Sequence, residues 1–348
     1  MQPELVIRNL ENKNIKFAFV PQNTQGIVLG SMLHFYNVAL ELQMLGYEVV
    51  MFCEQKYDKS WLPSSFANIK HIEWGSQEIT VSASDFIVVP EYYVQHFYQQ
   101  LQEAKIKLPC EIVPFVNNID LVTHTMDIAT EWRMFGVKNV LCNGMNTKDY
   151  IDFVMNGLNT YIVNPKIHSS FRNVRNTTYK KPQIVMFGRN GNMLKRIVKE
   201  FYLLNPQFRY FSFLIVNQKL SQLELAAKLG ESAVAVWLDE DSSFGTFPLE
   251  ALSSGVPVIA STPDLKPEWY DDFDIIWVDN KQKLIAQLSD FITAFTTNAE
   301  PEVKDYEKVD LKYGALPFKT NLENAINSII DFRIKHIKNL IQVQEQTN

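Results

Sequence analysis

The densest chemistry in the chain lies between residues 238 and 261. A strand is predicted to end at Leu238, and an acidic, serine-rich loop follows it. Phe244-Gly245-Thr246 comes next, and Pro248 stands where a helix over 248–254 would make its first turn, a position that proline favours. The first N–H groups of such a helix have no partner within it, and its dipole adds positive potential there. That end suits a phosphate. Gly245 lets backbone approach a ligand closely. Glu250 falls in the first turn, placed to accept hydrogen bonds from sugar hydroxyls. Residues 255–258 then turn into a strand over 256–260. The plainer alternative is an ordinary helix–turn–strand in which Glu250 is a solvated first-turn acid.

The surrounding residues favour the functional reading. The block resembles the donor motif of the retaining family-four glycosyltransferases of the GT-B fold (glycosyl transferases group 1). That motif is a Glu, a Phe-Gly, a second Glu, then a helix and Gly-x-Pro-Val-Ile. Phe244-Gly245, Glu250-Ala251-Leu252, Gly255, Pro257-Val258-Ile259 and Ser261 match it. The first Glu of the motif falls at Ser242, with Glu240 and Asp241 close enough to substitute by a small loop shift. Phe187-Gly188-Arg189 with Lys195 resembles the family's Gly-Arg…Lys segment, and the spacing leaves either Lys195 or Arg196 as the second cation. Gly30 lies where the family has the second glycine of its N-terminal loop, and Gly46-Tyr47-Glu48-Val49 stands in place of its Gly-His-Glu-Val.

The resemblance implies transfer of a sugar from a nucleoside diphosphate donor to a hydroxyl acceptor (a glycan, a lipid-linked molecule or a small molecule), with retention at the anomeric carbon. Arg189 and Lys195 would neutralise the diphosphate, because its developing charge must be stabilised as it leaves. The Gly245-Thr246 amides would assist, Glu250 would hold the ribose hydroxyls, and Gly30 would give room for phosphate. Gly188, Arg196, Ser242 and Phe244 complete the expected donor set. The acceptor side departs most from the family. Its histidine after the strand 111–116 is replaced by Val116 or Asn117, so Glu91, Asn117, Asn118 and His124 are the acceptor-side candidates. No metal or other cofactor is implied. Asp271-Asp272-Phe273-Asp274 contains an Asp-x-Asp, read here as a polar turn.

The elements that must position these residues follow a strand–loop–helix rhythm. Apolar runs over 16–21, 47–53, 85–90, 111–116, 139–142 and 161–163 read as strands. A helix over 31–45 is predicted between the first two, with Ser31 as N-cap and Gly46 as its stop. A second series begins at 183–187, followed by a helix over 194–204, a strand over 211–216, a helix over 222–229 and a strand over 233–238. The strand 275–278 is last. Residues 313–318 read as irregular and 321–340 as a long helix. Continuous apolar strands separated by helices imply parallel sheets covered on both faces. The fold class is therefore α/β, with two doubly wound Rossmann-like domains facing across a cleft, GT-B type.

The domain reading is an acceptor-binding domain over 1–171, a polar linker over 172–182 and a donor domain over 183–320. A C-terminal helix over 321–348 could cross back to the first domain. At 348 residues, two domains fit the usual domain size. Hydrophobic residues make up 46% and charged residues 21%, ordinary for a folded chain. The net charge is −6, and the whole excess falls in residues 1–164. An acidic first half is a poor surface for a polyanion, so nucleic acid ranks low as a partner. Net charge does not exclude a local basic patch, which leaves peripheral membrane contact open. Cys53, Cys110 and Cys142 have neither metal nor redox spacing and read as reduced thiols of a cytoplasmic protein. No signal peptide or membrane span is read.

Two rival functions remain at this stage. One is a non-catalytic scaffold or partner subunit on the same fold, favoured by Ser242 and the missing histidine. The other is a sugar-nucleotide epimerase. A dinucleotide oxidoreductase is disfavoured, because the first strand is not followed by G-x-G-x-x-G.

Overall fold

The computed structural model describes residues 3–25, 27, 29–76, 80–127, 130–172, 180–216, 220–239, 244–297, 303 and 305–347, with backbone only over 344–347. The chain divides into two compact units, one of residues 1–164 with 318–348 and one of residues 165–317. The division falls at Asn164–Pro165, ahead of the expected linker, most of which (173–179) lies outside the described residues.

The first unit holds β1 (Lys16–Phe19), β2 (Glu48–Cys53), β3 (Lys70–Glu73), β4 (Phe86–Pro90), β5 (Glu111–Val116), β6 (Asn139–Cys142) and β7 (Asn159–Ile162). They form one sheet in the order β3-β2-β1-β4-β5-β6-β7, with every pairing parallel. Its helices are α1 (Pro3–Glu11), α2 (Gly30–Met44), α3 (Val94–Glu103), α4 (Ile119–His124) and α5 (Met145–Val154). The strands are apolar on both sides because both faces are covered. Phe17, Phe19, Met51, Val88 and Phe115 point to a layer built with α2. Ala18, Val20, Val50, Val89 and Val116 point to the opposite layer with α3 and α5. This is the period-two alternation of a strand.

The second unit holds β8 (Gln183–Phe187), β9 (Ser212–Ile215), β10 (Val234–Trp237), β11 (Val258–Ser261) and β12 (Ile275–Val278). Their order is β12-β11-β10-β8-β9, again with every pairing parallel. Its helices are α6 (Gly191–Leu204), α7 (Gln222–Gly230), α8 (Thr246–Ser253), α9 (Lys281–Thr296) and α10 (Tyr306–Tyr313). Trp237, Ala235 and Val185 face a layer with α7, α8 and α10, while Val234, Val236 and Ile184 face one with α6 and α9. Both units are thus doubly wound α/β layers.

The last helix, α11 (Ala315–Thr347), belongs to the first unit from Phe318 onward. Phe318, Leu322, Ala325, Ile326, Ile329 and Ile330 recur at helical spacing and join the α2 layer. Arg333 ties it further, through an ion pair at 3.2 Å with the buried Glu111 and a hydrogen bond to the Ala83 carbonyl. Tyr313 and residues 315–318 are helical rather than irregular. Only Gly314 separates α10 from α11, and a side chain there would meet the Asp310 carbonyl at 2.3 Å. Among the described residues no helix is long and apolar enough to cross a membrane.

Candidate functional site

In the second unit, β8 and β10 lie side by side and end together. Past β8 the chain runs through Gly188 and Arg189. Past β10 it runs through Leu238 and Asp239. A Cβ at Gly188 would stand 2.4 Å from the Leu238 carbonyl oxygen, so glycine is required for the two strand ends to close up. One step on, Arg189 Nε lies 3.2 Å from Asp239 Oδ1. Asp239 is buried and Arg189 is half exposed. The motif spacing assigns Arg189 to the ligand, whereas the fold also gives it Asp239 as a partner. The place of Asp239 directly after an apolar strand marks it as a strand-end acid, but its partner across the sheet is visible only in the fold.

Helix α6 begins at Gly191, three residues before the expected start, because the Asn190 side chain accepts the Met193 N–H and caps it. Lys195 therefore lies in the second turn and is exposed. Arg196, also exposed, pairs with Glu200 at 2.8 Å, and Glu200 pairs with Lys281 at 2.6 Å. Lys195 makes no ion pair among the described residues, so of the two candidate cations it is the one left available.

From β10 the chain passes Glu240, Asp241, Ser242 and Ser243, which lie outside the described residues. It re-emerges at Phe244, a buried core side chain packed edge-on against Tyr313 at 5.5 Å. The Phe244 carbonyl accepts the Trp269 indole N–H at 2.7 Å. Gly245 follows with φ +68°, and a Cβ there would meet Trp237 at 2.7 Å. Both its backbone and its surroundings demand glycine. Gly245 is the N-cap of α8 and supplies no side-chain acceptor, which leaves the first N–H groups from Thr246 onward without a side-chain cap. Helix α8 starts two residues before Pro248, so Glu250 is its fifth residue rather than a first-turn acid. Glu250 is partly buried, and its carboxylate accepts the Thr246 hydroxyl. Burial pushes its pKa up to about 7 despite that bond. The Asp-x-Asp segment is engaged locally: Asp272 pairs with Lys312 at 2.8 Å, and the Asp274 N–H donates to Asp305 at 2.9 Å.

In the first unit, β1, β4 and β5 are neighbours, and the chain reverses direction across the sheet between β1 and β4. Such a switch point leaves a crevice at the carboxyl ends of the strands. Glu91 stands there, directly after β4, buried to 3% exposure. Its carboxylate accepts the backbone N–H of Asn118 at 2.9 Å and that of Asn117. Burial nevertheless pushes it up to about 7. Asn118 caps α4 by accepting the Asp120 N–H at 3.0 Å. The buried Asn117 accepts at its carbonyl from Asn143 Nδ2 at 2.8 Å. The fold thus gathers Glu91, Asn117 and Asn118. His124 stands apart from them, exposed at the far end of α4. Gly30 is the exposed first residue of α2; Leu29 rather than Ser31 is its N-cap, with no side-chain bond.

The cysteines show no activation. Burial pushes the Cys53 and Cys110 thiols up to about 12 and moves Cys142 in the same direction, away from the thiolate that reactivity requires.

No family model matches the chain, and no curated protein matches it. Solved structures do. Sucrose-phosphate synthase from Thermosynechococcus elongatus superposes with a TM-score of 0.62 at 12% identity, over 91% of this chain and 99% of that one. Anabaena HepE in complex with UDP-glucose gives 0.60 at 11% identity, over 90% and 99%. The lipopolysaccharide outer core galactosyltransferase WaaB in its apo form gives 0.56 at 14% identity, over 90% and 99%. The chain has the GT-B fold. In GT-B terms, the first unit is the sheet carrying Glu91, Asn117 and Asn118, and the second is the sheet carrying Arg189 and Glu250.

Proposed function

We propose that the chain is a glycosyltransferase of the retaining, family-four kind, moving a sugar from a nucleoside diphosphate to a hydroxyl acceptor. The observation that carries this is the pairing of β8 with β10. It brings a cation at Arg189 and a loop leading to an uncapped helix start at Thr246 out of adjacent strand ends. A cation and helix N–H groups that follow adjacent strand ends suit a diphosphate. The likeness to HepE, solved with UDP-glucose, supports the same class of ligand.

In this reading, Arg189 and Lys195 stabilise the charge that develops on the leaving diphosphate, together with the first amides of α8. Glu250 accepts hydrogen bonds from the ribose hydroxyls. Those bonds favour its ionised form and offset the burial that raises its pKa. The motif resemblance assigns Ser242 to the transferred sugar, and Gly30 gives room for phosphate. A phosphate oxygen takes the acceptor's proton on the face that the nucleotide leaves, so retention requires no protein base. No metal is assigned a part.

A scaffold reading draws on one observation, the neutralisation of Arg189 by Asp239. The same experiment separates the two: thermal stabilisation by a panel of nucleoside diphosphates and their sugars, followed by assay of acceptor-dependent nucleotide release. A ligand at 100 times its dissociation constant adds about 2.7 kcal/mol. Stabilisation by at least one nucleotide, with release of that nucleotide on turnover, is the expected result. Stabilisation without release, or no stabilisation by any nucleotide, overturns the transferase and leaves the scaffold.

A further inference from the structure

We propose that the carboxyl end of the first unit's sheet binds an uncharged, hydroxyl-rich ligand, a neutral sugar, through Thr24, Glu91, Tyr92 and Asn117. The inference rests on the glycosyltransferase reading, in which this ligand is the acceptor, and it narrows that acceptor to neutral carbohydrate.

The four residues leave three adjacent strands at the same end: Thr24 beyond β1, Glu91 and Tyr92 beyond β4, and Asn117 beyond β5. Neighbouring strands lie about 4.8 Å apart, a spacing comparable to that between hydroxyls on one sugar ring. Thr24 Oγ1, the Tyr92 hydroxyl and Asn117 Nδ2 are each shielded from water and have no hydrogen-bond partner among the described residues. Thr24, Glu91 and Asn117 are more than nine-tenths buried. A buried polar atom left unpaired costs about 1–3 kcal/mol, and such atoms are rare in native proteins. Three of them beyond adjacent strand ends that also carry a buried carboxylate, at a topological switch point, mark a place built to hydrogen-bond something else. Gln22 beside them is exposed, and Asn23, Tyr93 and Asn118 are partly so. The unpaired atoms therefore lie beneath a surface that solvent reaches.

The chemistry of the set selects the ligand. Glu91 accepts, Asn117 Nδ2 donates, and the two hydroxyls of Thr24 and Tyr92 do either. A sugar hydroxyl both donates and accepts, so a polyol can satisfy all four. A phosphate only accepts. It would have to sit against the carboxylates of Glu91 and Glu54, whose fields act on Tyr92. Lys148, on α5 beyond the next strand, is already paired with Asp152. A phosphorylated sugar or an anionic lipid surface therefore does not fit.

The test is saturation-transfer NMR on the full chain. The probes are methyl glucoside, methyl galactoside and N-acetylglucosamine, with glucose 6-phosphate and phosphatidylglycerol vesicles as the charged arms and a nucleoside diphosphate panel as a separate arm. The variants are Thr24→Val, Tyr92→Phe and Glu91→Gln. At least one neutral sugar is expected to give signals on the wild-type chain that fall at least threefold in each variant. Nucleotide signals should persist in all of them. Thr24→Val and Tyr92→Phe should melt at or above the wild-type temperature, because each removes an unpaired buried group. A merely structural role would leave the sugar signals unchanged. Signals from the charged arms alone, no signal from any neutral sugar, or neutral-sugar signals unchanged in all three variants would each overturn the assignment. Nucleotide signals absent from the wild-type chain would count against the donor reading, whatever the sugars show.

Discussion

Replacing Glu250 by Gln separates what the carboxylate does for folding from what it does for a nucleotide. In the folded chain burial raises its pKa from 4.5 to about 7. The folded state therefore holds a proton that the unfolded chain releases between about pH 4.5 and 7, and wild-type stability falls as pH rises through that window. At about 1.4 kcal/mol per pKa unit, the ionised carboxylate costs the fold at most about 3 kcal/mol above pH 7, less whatever solvent reaches it. Gln keeps the shape and the bond to Thr246 but cannot ionise. Urea denaturation at pH 5 should find the variant level with wild type, and at pH 8 more stable by about 1–3 kcal/mol. Nucleotide binding should move the other way. Losing hydrogen bonds to a charged acceptor costs about 1.5–3 kcal/mol, so nucleoside diphosphate affinity at pH 8 should fall about tenfold or more. A variant equally destabilised at both pH values, or one that binds nucleotide as wild type does, would refute the reasoning.

Three further outcomes follow from the geometry. Arg189→Ala should weaken nucleoside diphosphate binding at least tenfold by calorimetry, whereas Asp239→Asn should strengthen it, because it removes the carboxylate charge that competes for Arg189. Gly245→Ala forces a Cβ to 2.7 Å from Trp237 at a φ of +68°, and should lower stability by about 2–4 kcal/mol in denaturant unfolding. Arg333→Ala leaves Glu111 buried without its cation, and should cost about 3 kcal/mol. Burial raises the Glu111 pKa even with Arg333 beside it, so that loss should be larger at pH 8 than at pH 5, where part of the carboxylate is protonated.

Much of this fold is legible in the sequence, because buried parallel strands read as unbroken apolar runs. Residues 111–116, 139–142, 183–187 and 275–278 are strands at the expected boundaries. The misses share physical causes. Strand β3 is a four-residue edge element with a single apolar residue, Ile72, too short for a pattern. Helix starts were misplaced where capping came from an unexpected residue: Asn190 starts α6, and α8 begins beyond a Gly245 held by two tryptophans rather than at Pro248. At the candidate site, spacing pointed to Arg189 and Glu250 but not to Asp239, since a pairing across two strands separated by fifty residues leaves no local trace. Choosing between Lys195 and Arg196 likewise needed Glu200, whose place relative to both depends on where α6 starts. The unpaired atoms of Thr24, Tyr92 and Asn117 have no sequence signature at all. Being unpaired is a property of the packed structure.

The most direct measurement is a crystal structure of the chain with a nucleoside diphosphate. The phosphates are predicted to lie about 3 Å from the first amides of α8 and from the terminal nitrogens of Arg189, with the ribose hydroxyls on Glu250. A nucleotide bound elsewhere, with Arg189 still turned to Asp239 alone, would contradict the account.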